Sequence, residues 1–250
     1  MNSIKKMMLS GALGCLISGM AYADGSSPQP VKPYWQDIQV VAVNKEKPRS
    51  SFMSYADRET ALTSRFEKSP YYSLLNGTWK FFFVDSYKDL PQNITDPSVN
   101  TSSWDDITVP GNWEVQGHGV AIYTNHGYEF KPKNPQPPLL PEANPVGVYR
   151  RDIEIPANWD NRDIYLHIGG AKSGLYVYLN GKEVGYSEDS KNPAEFLINK
   201  YLQPGKNVLT LKIFRWSTGS YLECQDFWRM SGIERDVFLW SQPKASIQDF

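Results

Sequence analysis

The chain has 250 residues, with 26 Lys and Arg against 27 Asp and Glu, so its formal net charge is −1. This balance excludes the basic surface that nucleic-acid binding requires, and two Cys are too few for a disulfide-based scaffold. The composition, 40% hydrophobic and 14% aromatic, excludes disorder and favours a chain rich in strands and turns.

Residues 1–23 have the pattern of a secretory signal peptide. Two lysines precede a run of apolar and small residues that is shorter than a membrane span, and Ala21-Tyr22-Ala23 supplies a cleavage site. We therefore predict an exported, periplasmic protein without a membrane span. Secretion and a lipid anchor at Cys15 are the alternatives, although Ala12, three positions before that Cys, is smaller than the usual aliphatic residue.

Residues 24–73 are predicted to form a leader and an extended N-terminal arm. The first ten residues of this segment are rich in Ser, Pro and Gly, as flexible leaders are. The rest is mixed in character, with one short helix expected within Arg58–Lys68. We expect this arm to lie on a larger folded body.

From Leu74 onward, short runs of apolar residues alternate with polar ones, which is typical of β-strands. Asn180-Gly181 separates two of these runs and predicts a type I′ hairpin, because both central residues of that turn need a positive φ. Arg, Asp and Glu fill one face of Tyr149–Ile155, so we expect that strand to be half-buried. Strands are predicted at 79–83, 107–109, 149–155, 164–168, 175–179, 182–186, 208–214 and 236–240.

No long amphipathic helix separates these strands. This excludes a doubly wound α/β fold and predicts an all-β antiparallel sandwich or jelly roll over residues 74–241. Residues 132–145 hold six Pro and cannot form a central strand, so we expect either a rigid surface crossover or a loop that packs on another domain. Residues 242–250 have the pattern of a strand that opens a further domain.

Motifs for common catalytic chemistry do not occur in the sequence. It lacks a Gly-rich phosphate loop, a serine-hydrolase elbow and a zinc-binding helix motif. His118, His126 and His167 are far apart and lack the spacing of metal ligands. Cys224 has no neighbouring His, so we expect a buried small hydrophobic residue and not a nucleophile.

The segment from Arg215 to Asp236 combines aromatic rings with carboxylates and guanidinium groups. Such a set suits a sugar, because a ring stacks on the apolar face of a pyranose while the hydroxyls need fixed hydrogen-bond partners. The alternative is a hydrogen-bonded loop that packs two domains together. The residues concerned are Trp216, Tyr221, Glu223, Asp226, Trp228, Arg229 and Arg235.

Five motifs occur in an order that resembles the N-terminal part of glycoside hydrolase family 2 β-galactosidases of the long, bacterial type. The resemblance covers roughly residues 35–243. The motifs are Leu75-Asn-Gly-Thr-Trp-Lys-Phe81, Val109-Pro-Gly-Asn-Trp113, Ile122-Tyr-Thr-Asn125, Asn144-Pro-Val-Gly-Val-Tyr149 and the block from Phe214 to Asp236.

The resemblance implies a galactose-binding-like jelly-roll β-sandwich preceded by an extended arm. It further implies that residues 242–250 begin an immunoglobulin-like domain and that a catalytic barrel follows. The complete enzyme would hydrolyse terminal β-D-galactose with retention, using two carboxylates of that barrel. We therefore assign no catalytic residue to this chain, expect it to be inactive alone, and expect the complete enzyme to be a homo-oligomer.

Two site residues follow from the resemblance. Asn125 matches the residue that reaches into the galactose pocket, and Asp226 matches the carboxylate that contacts a sodium ion and the sugar. A carboxylate suits Na⁺, since hard cations prefer oxygen ligands. The resemblance assigns Mg²⁺ to the catalytic domain. Cys224 replaces a residue that is frequently acidic in the family, and His126-Gly127 leaves the shape of the loop after Asn125 open.

Two alternatives accompany this interpretation. A free-standing carbohydrate-binding module would bind galactosides with measurable affinity by itself. A β-glucuronidase or β-mannosidase of the same superfamily would share the fold. Tyr123-Thr-Asn125 and Gln225-Asp-Phe-Trp228 favour the galactosidase.

Overall fold

The computed structural model describes residues 32–130, 134–223 and 225–250. The predicted signal peptide at 1–23 lies outside the described residues together with Cys15, the leader up to residue 31, and Cys224. No helix among the described residues is long and apolar enough to cross a membrane.

Strands and turns make up most of the described chain, as the alternating apolar pattern predicted. In chain order the strands are β1 (Ala42–Val43), β2 (Tyr72–Leu74), β3 (Gly77–Val84), β4 (Asp105–Val109), β5 (Gly111–Asn112), β6 (Ile122–Thr124), β7 (Val146–Glu154), β8 (Arg162–Ile168), β9 (Ala171–Lys172), β10 (Gly174–Leu179), β11 (Lys182–Ser187), β12 (Ala194–Leu197), β13 (Lys206–Phe214), β14 (Phe227–Arg229), β15 (Gly232–Ile233) and β16 (Val237–Pro243). The α-helix α1 spans Arg58–Leu62, and 3₁₀ turns occur at Tyr34–Gln36, Phe66–Lys68, Tyr87–Asp89, Glu114–Gln116, Ala157–Trp159, Asn199–Tyr201 and Thr218–Tyr221.

Two antiparallel sheets form a β-sandwich, which confirms the predicted fold class. The larger sheet has the order β1-β11-β10-β13-β7-β3-β4, and the smaller has the order β12-β8-β16-β2. Alternate residues of β13 and β8 point into the space between the sheets and are buried there, because side chains change face at every residue. This core contains Trp79, Phe81, Tyr149, Trp159, Leu166, Ile168, Leu209, Leu211 and Ile213.

The arm covers both outer faces of the sandwich, as expected of a segment that lies on a larger body. Trp35 packs on the outer face of the larger sheet, and β1 extends that sheet by pairing with β11. The chain then passes the sheet edge, where Glu46 N donates to Glu195 O of β12 at 2.8 Å. Beyond it, Met53 and the partly buried Phe66 pack on the outer face of the smaller sheet.

The helix expected within Arg58–Lys68 is divided in two. Asp57 caps α1 by accepting a hydrogen bond from Thr60 N. Ser64 then adopts a φ of 54°, which interrupts the helical backbone, and a 3₁₀ turn follows at Phe66–Lys68.

The hairpin prediction is confirmed, and the half-burial expected over Tyr149–Ile155 holds at all but one position, since Ile153 is buried while Asp152 and Glu154 are exposed. Asn180 and Gly181 adopt φ values of 54° and 77° between β10 and β11. Arg150 is the one polar-face residue of β7 that departs from the alternation, and it is buried because residues 85–104 cover the outer face of the strand there. Its guanidinium donates to Ile94 O at 2.8 Å and Val99 O at 3.1 Å, so burial leaves the charged group satisfied.

The first and last strands of the smaller sheet mark the ends of the sandwich in the chain. Strand β2 begins at Tyr72, and β16 continues through Pro243, two residues beyond the expected end at 241. The assignment of the residues that follow to an immunoglobulin-like domain stays a prediction. In this structure Asp249 accepts a hydrogen bond from Ser50 N at 2.9 Å, and Phe250 contacts Phe52 of the arm.

Candidate functional site

A short two-stranded ribbon carries both predicted site residues. Strand β6 pairs antiparallel with β14, with Thr124 opposite Phe227 and Tyr123 opposite Trp228. Asn125 follows Thr124 and Asp226 precedes Phe227, so both residues lie next to the last pair of the ribbon, at the same end. Tyr123 and Trp228, which are directly opposite each other, share one face of the ribbon. The structure therefore places Asn125 and Asp226 at the same end of the ribbon.

Asp226 has one partner on the ribbon and one open oxygen. Tyr123 Oη donates to Asp226 Oδ1 at 2.7 Å, whereas Oδ2 accepts no hydrogen bond from the described residues. Both aromatic side chains beside it are open to solvent, with Tyr123 55% exposed and Trp228 54% exposed. Their rings meet edge to face at 5.6 Å. A free acceptor thus stands beside exposed apolar rings.

The loop after Asn125 has a defined shape. Thr124 Oγ1 donates to the backbone carbonyl of His126 at 2.6 Å, and Gly127 turns the chain with a φ of 73°. His126 Nδ1 lies 2.7 Å from Asn125 Oδ1. With the proton on Nδ1, this contact occupies the amide oxygen, and the Asn125 Nδ2 group stays available as a donor.

Arg215 anchors the ribbon to the sandwich. It follows β13 directly, and its buried guanidinium donates to Val120 O at 3.0 Å, ahead of β6, and to Arg229 O at 3.3 Å, at the end of β14. Two buried carboxylates neutralise it, Glu129 at 3.4 Å and Glu114 at 3.5 Å. One guanidinium thereby holds both strands of the ribbon in place.

Burial raises the pKa of Glu114, although hydrogen bonds from Ser231 N and the charge of Arg215 act in the opposite direction. Burial also lowers the pKa of Lys172, whose ammonium lies 3.7 Å from Glu129 and is stabilised by that charge. The buried charges of Arg215, Lys172, Glu114 and Glu129 thus face opposite charges, which offsets the cost of burying them.

The loop between β13 and β14 is fixed by a third buried carboxylate. Glu188 accepts hydrogen bonds from Tyr186 Oη at 2.6 Å and from Thr218 Oγ1 and Gly219 N, each at 2.7 Å. Burial raises the pKa of Glu188, against these three hydrogen bonds. The start of the loop therefore has a set conformation.

The described part of the Pro-rich segment, 134–145, is a crossover that packs on the same loop. Asn144 exchanges two hydrogen bonds with the backbone of Trp216, at 2.8 and 3.0 Å. Tyr221 Oη donates to Leu139 O. The segment is thus tied to the sandwich at two points, as a rigid crossover requires.

The structure separates the residues that the sequence grouped as sugar-binding candidates. Trp216 and Tyr221 are each only 9% exposed, and Arg229 is buried over the ring of Phe227. Glu223 accepts hydrogen bonds from Ser190, and Arg235 donates to Gly169 O. These five residues support the fold, whereas Asp226 and Trp228 face solvent.

The three His residues have structural surroundings. His118 packs edge-on against Phe81 with ring centroids 4.8 Å apart. His167 lies on the outer face of the smaller sheet, stacked on Phe238 at 4.1 Å, with Nδ1 2.8 Å from Glu195 Oε1. Over residues 32–130, 134–223 and 225–250, no three His, Cys, Asp or Glu side chains cluster as a metal site.

Glu195 is a second carboxylate with aromatic neighbours, beneath the arm. Arg49 donates to both of its oxygens, at 2.9 and 3.0 Å, and Trp240 Nε1 donates to Oε1 at 3.0 Å. Burial raises the pKa of Glu195, but the hydrogen bonds from His167 and Arg49 and their charges outweigh burial and hold it below its ordinary value. The pattern of apolar residues gave no signal of this cluster.

Two cavities lie away from the ribbon. One, of about 350 Å³, is enclosed by the arm at residues 45–53 and the smaller sheet beside Glu195. The other, of about 450 Å³, lies between Pro156 and the turn at Pro204. Neither is lined by Asn125 or Asp226, both of which are exposed.

Sequence reasoning missed Tyr123 as the partner of Asp226. The signal was present, because the spacing of two residues in Tyr123-Thr-Asn125 and in Asp226-Phe-Trp228 sets each pair on one face of a strand. The pairing of these two strands, 103 residues apart in sequence, could not be read from either motif alone.

Comparisons with known proteins agree with this architecture. Residues 72–243 match the family model described as glycosyl hydrolases family 2, sugar binding domain. A β-galactosidase of Priestia megaterium is 41% identical over 221 residues, covering 87% of this chain and 21% of that protein. A β-galactosidase of Psychromonas ingrahamii is 39% identical over 215 residues, covering 86% and 20%. The chain spans about a fifth of the length of these curated relatives.

Among solved structures, a β-glucuronidase of Bacteroides uniformis superposes with a TM-score of 0.52 and 24% identity. The match covers 69% of this chain and 18% of that one. At this identity the likeness concerns the fold alone.

Proposed function

Because this chain belongs to glycosyl hydrolase family 2, through the sugar-binding domain at residues 72–243, we propose that it forms part of a retaining β-galactosidase. In this role it supplies one side of the pocket for a terminal, non-reducing β-D-galactose residue. The relatives named β-galactosidase, at 41% and 39% identity, support galactose as the sugar.

The observation that carries the proposal is the pairing of β6 with β14. It places an amide donor, Asn125, and a carboxylate acceptor, Asp226, next to the same end of the ribbon. A sugar hydroxyl donates one hydrogen bond and accepts others, so the two groups together complement adjacent hydroxyls. Trp228 adds an exposed ring of the kind that stacks on a pyranose.

The contribution of this chain to the reaction is binding and orientation. Asn125 Nδ2 donates a hydrogen bond to one sugar hydroxyl, and Asp226 accepts a hydrogen bond from another. These contacts hold the galactose by hydroxyls that are distant from its reacting carbon. They thereby orient that carbon for attack. Retaining cleavage needs two carboxyl groups about 5–5.5 Å apart on either side of the glycosidic bond. We assign these to a catalytic domain outside residues 72–243, and none to this chain.

Asp226 fits a sodium ion as a single ligand. Its carboxylate is exposed, and Oδ2 accepts no hydrogen bond from the described residues, so a hard cation has an open oxygen to coordinate. When bound, sodium supplies a fixed positive charge that attracts a sugar hydroxyl oxygen. The described residues offer no group of three acidic, His or Cys side chains, so the other ligands would come from elsewhere in the enzyme.

The test is a substrate comparison with the complete enzyme that carries this domain. We expect kcat/KM for nitrophenyl β-galactoside to exceed the values for the β-glucuronide and the β-mannoside by at least about 100-fold, because sites built to hydrogen-bond a hydroxyl discriminate strongly. A higher kcat/KM on the glucuronide or the mannoside would reject the galactosidase assignment.

A further inference from the structure

We infer that Tyr123 is a positioning residue for Asp226, and that its hydroxyl fixes one carboxylate oxygen so that the other faces the ligand. The inference rests on the proposed function, since it concerns the same pocket. It begins from the hydrogen bond of 2.7 Å between Tyr123 Oη and Asp226 Oδ1.

The phenol is held in place by the ribbon. Tyr123 lies at the centre of β6, directly opposite Trp228 in the antiparallel register. Its ring meets the indole edge to face at 5.6 Å, an arrangement that favours one orientation of the ring. The hydroxyl therefore reaches Asp226 from a defined direction.

Asp226 needs such a partner because the rest of its surroundings leave it free. It is exposed, it precedes β14 instead of lying within it, and no ion pair among the described residues includes it. An exposed carboxylate samples several rotamers, and binding a ligand must then order it. A hydrogen bond to Oδ1 restricts that motion and leaves Oδ2 directed away from the phenol.

In this arrangement the two side chains have different roles. Asp226 contacts sodium and the sugar, whereas Tyr123 acts through Asp226 alone. Removing the hydroxyl should weaken ligand binding about three- to tenfold, the effect of ordering one side chain on association. It should leave the maximal rate intact, because the same contacts form once sodium and galactoside saturate the site.

The experiment compares Tyr123→Phe with the wild type in the complete enzyme. Phe keeps the ring and its contact with Trp228 and removes only the hydroxyl. Sodium binding is measured by ²³Na NMR line broadening, and KM and kcat for a β-galactoside are measured at limiting and saturating sodium. We expect the sodium Kd to rise three- to tenfold, KM to rise at limiting sodium, and kcat at saturating sodium to change less than twofold.

The matched control is Tyr178→Phe. Tyr178 Oη also donates to a carboxylate, Glu183 Oε2 at 3.2 Å, but on the outer face of the larger sheet. This variant should leave sodium binding and kinetics unchanged. Thermal melting of both variants shows whether either substitution disturbs the fold.

Asp226→Asn separates this inference from the proposed function. If Asp226→Asn abolishes sodium binding while Tyr123→Phe leaves the sodium Kd within twofold of wild type, the positioning role is wrong and the proposed pocket stands. If Asp226→Asn itself leaves sodium binding and galactoside kinetics unchanged, the pocket assignment fails and the inference fails with it.

Discussion

Glu195 and Asp226 are two carboxylates with aromatic neighbours, and their hydrogen-bond partners differ. Beneath the arm, the Glu195 carboxylate accepts hydrogen bonds from Arg49, His167 and Trp240. On the ribbon, one oxygen of Asp226 accepts a hydrogen bond from Tyr123, and the other accepts none from the described residues. A carboxylate whose acceptor sites are filled by its own chain stabilises the fold, whereas one with an open oxygen is available to a ligand.

The presence of a cavity does not identify the candidate sugar-binding site in this molecule. The cavity of about 350 Å³ lies beside Glu195, where the polar groups already satisfy one another. Neither that cavity nor the one beside Pro156 reaches Asp226, whereas the ribbon has an open acceptor and exposed rings. The chemistry of the side chains, and not the volume of the hollow, favours the ribbon.

The largest effect is expected at Glu195. Glu195→Gln leaves the Arg49 guanidinium without its charged partner in a mostly buried setting, so the free energy of unfolding should fall by about 3 kcal/mol. Urea unfolding followed by tryptophan fluorescence measures it. Glu183→Gln, at a carboxylate on the other sheet, is the control and should change the free energy by less than about 0.5 kcal/mol. A loss at Glu195 no larger than the control would show that the cluster does not hold the arm.

Asp226→Asn should have the opposite effect to Glu195→Gln, because it should lower activity and leave stability unchanged. In the complete enzyme, kcat/KM for a β-galactoside should fall about 10- to 100-fold, since hydrogen bonds to a charged group contribute about 1.5–3 kcal/mol. The free energy of unfolding should change by less than about 0.5 kcal/mol, because the side chain is exposed. Steady-state kinetics and urea unfolding measure the two quantities. Asp105→Asn, an exposed carboxylate of β4, should alter neither, and a comparable loss of activity there would remove the distinction.

Asn125→Ala should have a smaller effect than Asp226→Asn. It removes one neutral hydrogen bond to the sugar, which contributes about 0.5–1.5 kcal/mol, so KM should rise roughly two- to tenfold with kcat little changed. Initial rates over a range of galactoside concentrations check this. An unchanged KM would exclude Asn125 from the pocket and leave Asp226 as the sole contact from this chain.

The smallest effect is expected from acidification, which should weaken the contacts between the arm and the smaller sheet at Glu195. The pKa of Glu195 is lowered in the folded chain, so its stabilising contribution is present above the unfolded value of about 4.3 and is lost as the pH falls through the lower folded value. Limited proteolysis of the arm between pH 7 and 3 follows this loss. The stability difference between wild type and Glu195→Gln should shrink below about pH 4. A difference that is constant over this range would contradict the assignment.

The sandwich was predictable from sequence because each strand carries its own signal. Alternating apolar residues gave β3, β8 and β13, and Asn180-Gly181 gave the hairpin, since these signals are local. The ribbon depends on pairing between β6 and β14, which no local pattern specifies. Burial of Arg150 and Trp216 was missed for a similar reason, because the segments that cover them are distant in sequence and irregular.

The site residues themselves came from the order of five motifs and not from composition. The structure adds what the motifs lacked, namely the pairing of β6 with β14, which brings Tyr123 to Asp226 and places Asn125 at the same end of the ribbon. The signal peptide, the sodium ion and the homo-oligomer stay predictions.

The most direct measurement is a crystal structure of the complete enzyme with a bound β-galactoside. We predict that Asn125 Nδ2 lies within hydrogen-bond distance of a galactose hydroxyl, about 2.7–3.2 Å, and that Asp226 Oδ2 accepts a hydrogen bond from the galactose or coordinates the sodium beside it. The cavity beside Glu195 should contain no sugar. A galactose bound in that cavity, or one that contacts neither Asn125 nor Asp226, would contradict the account.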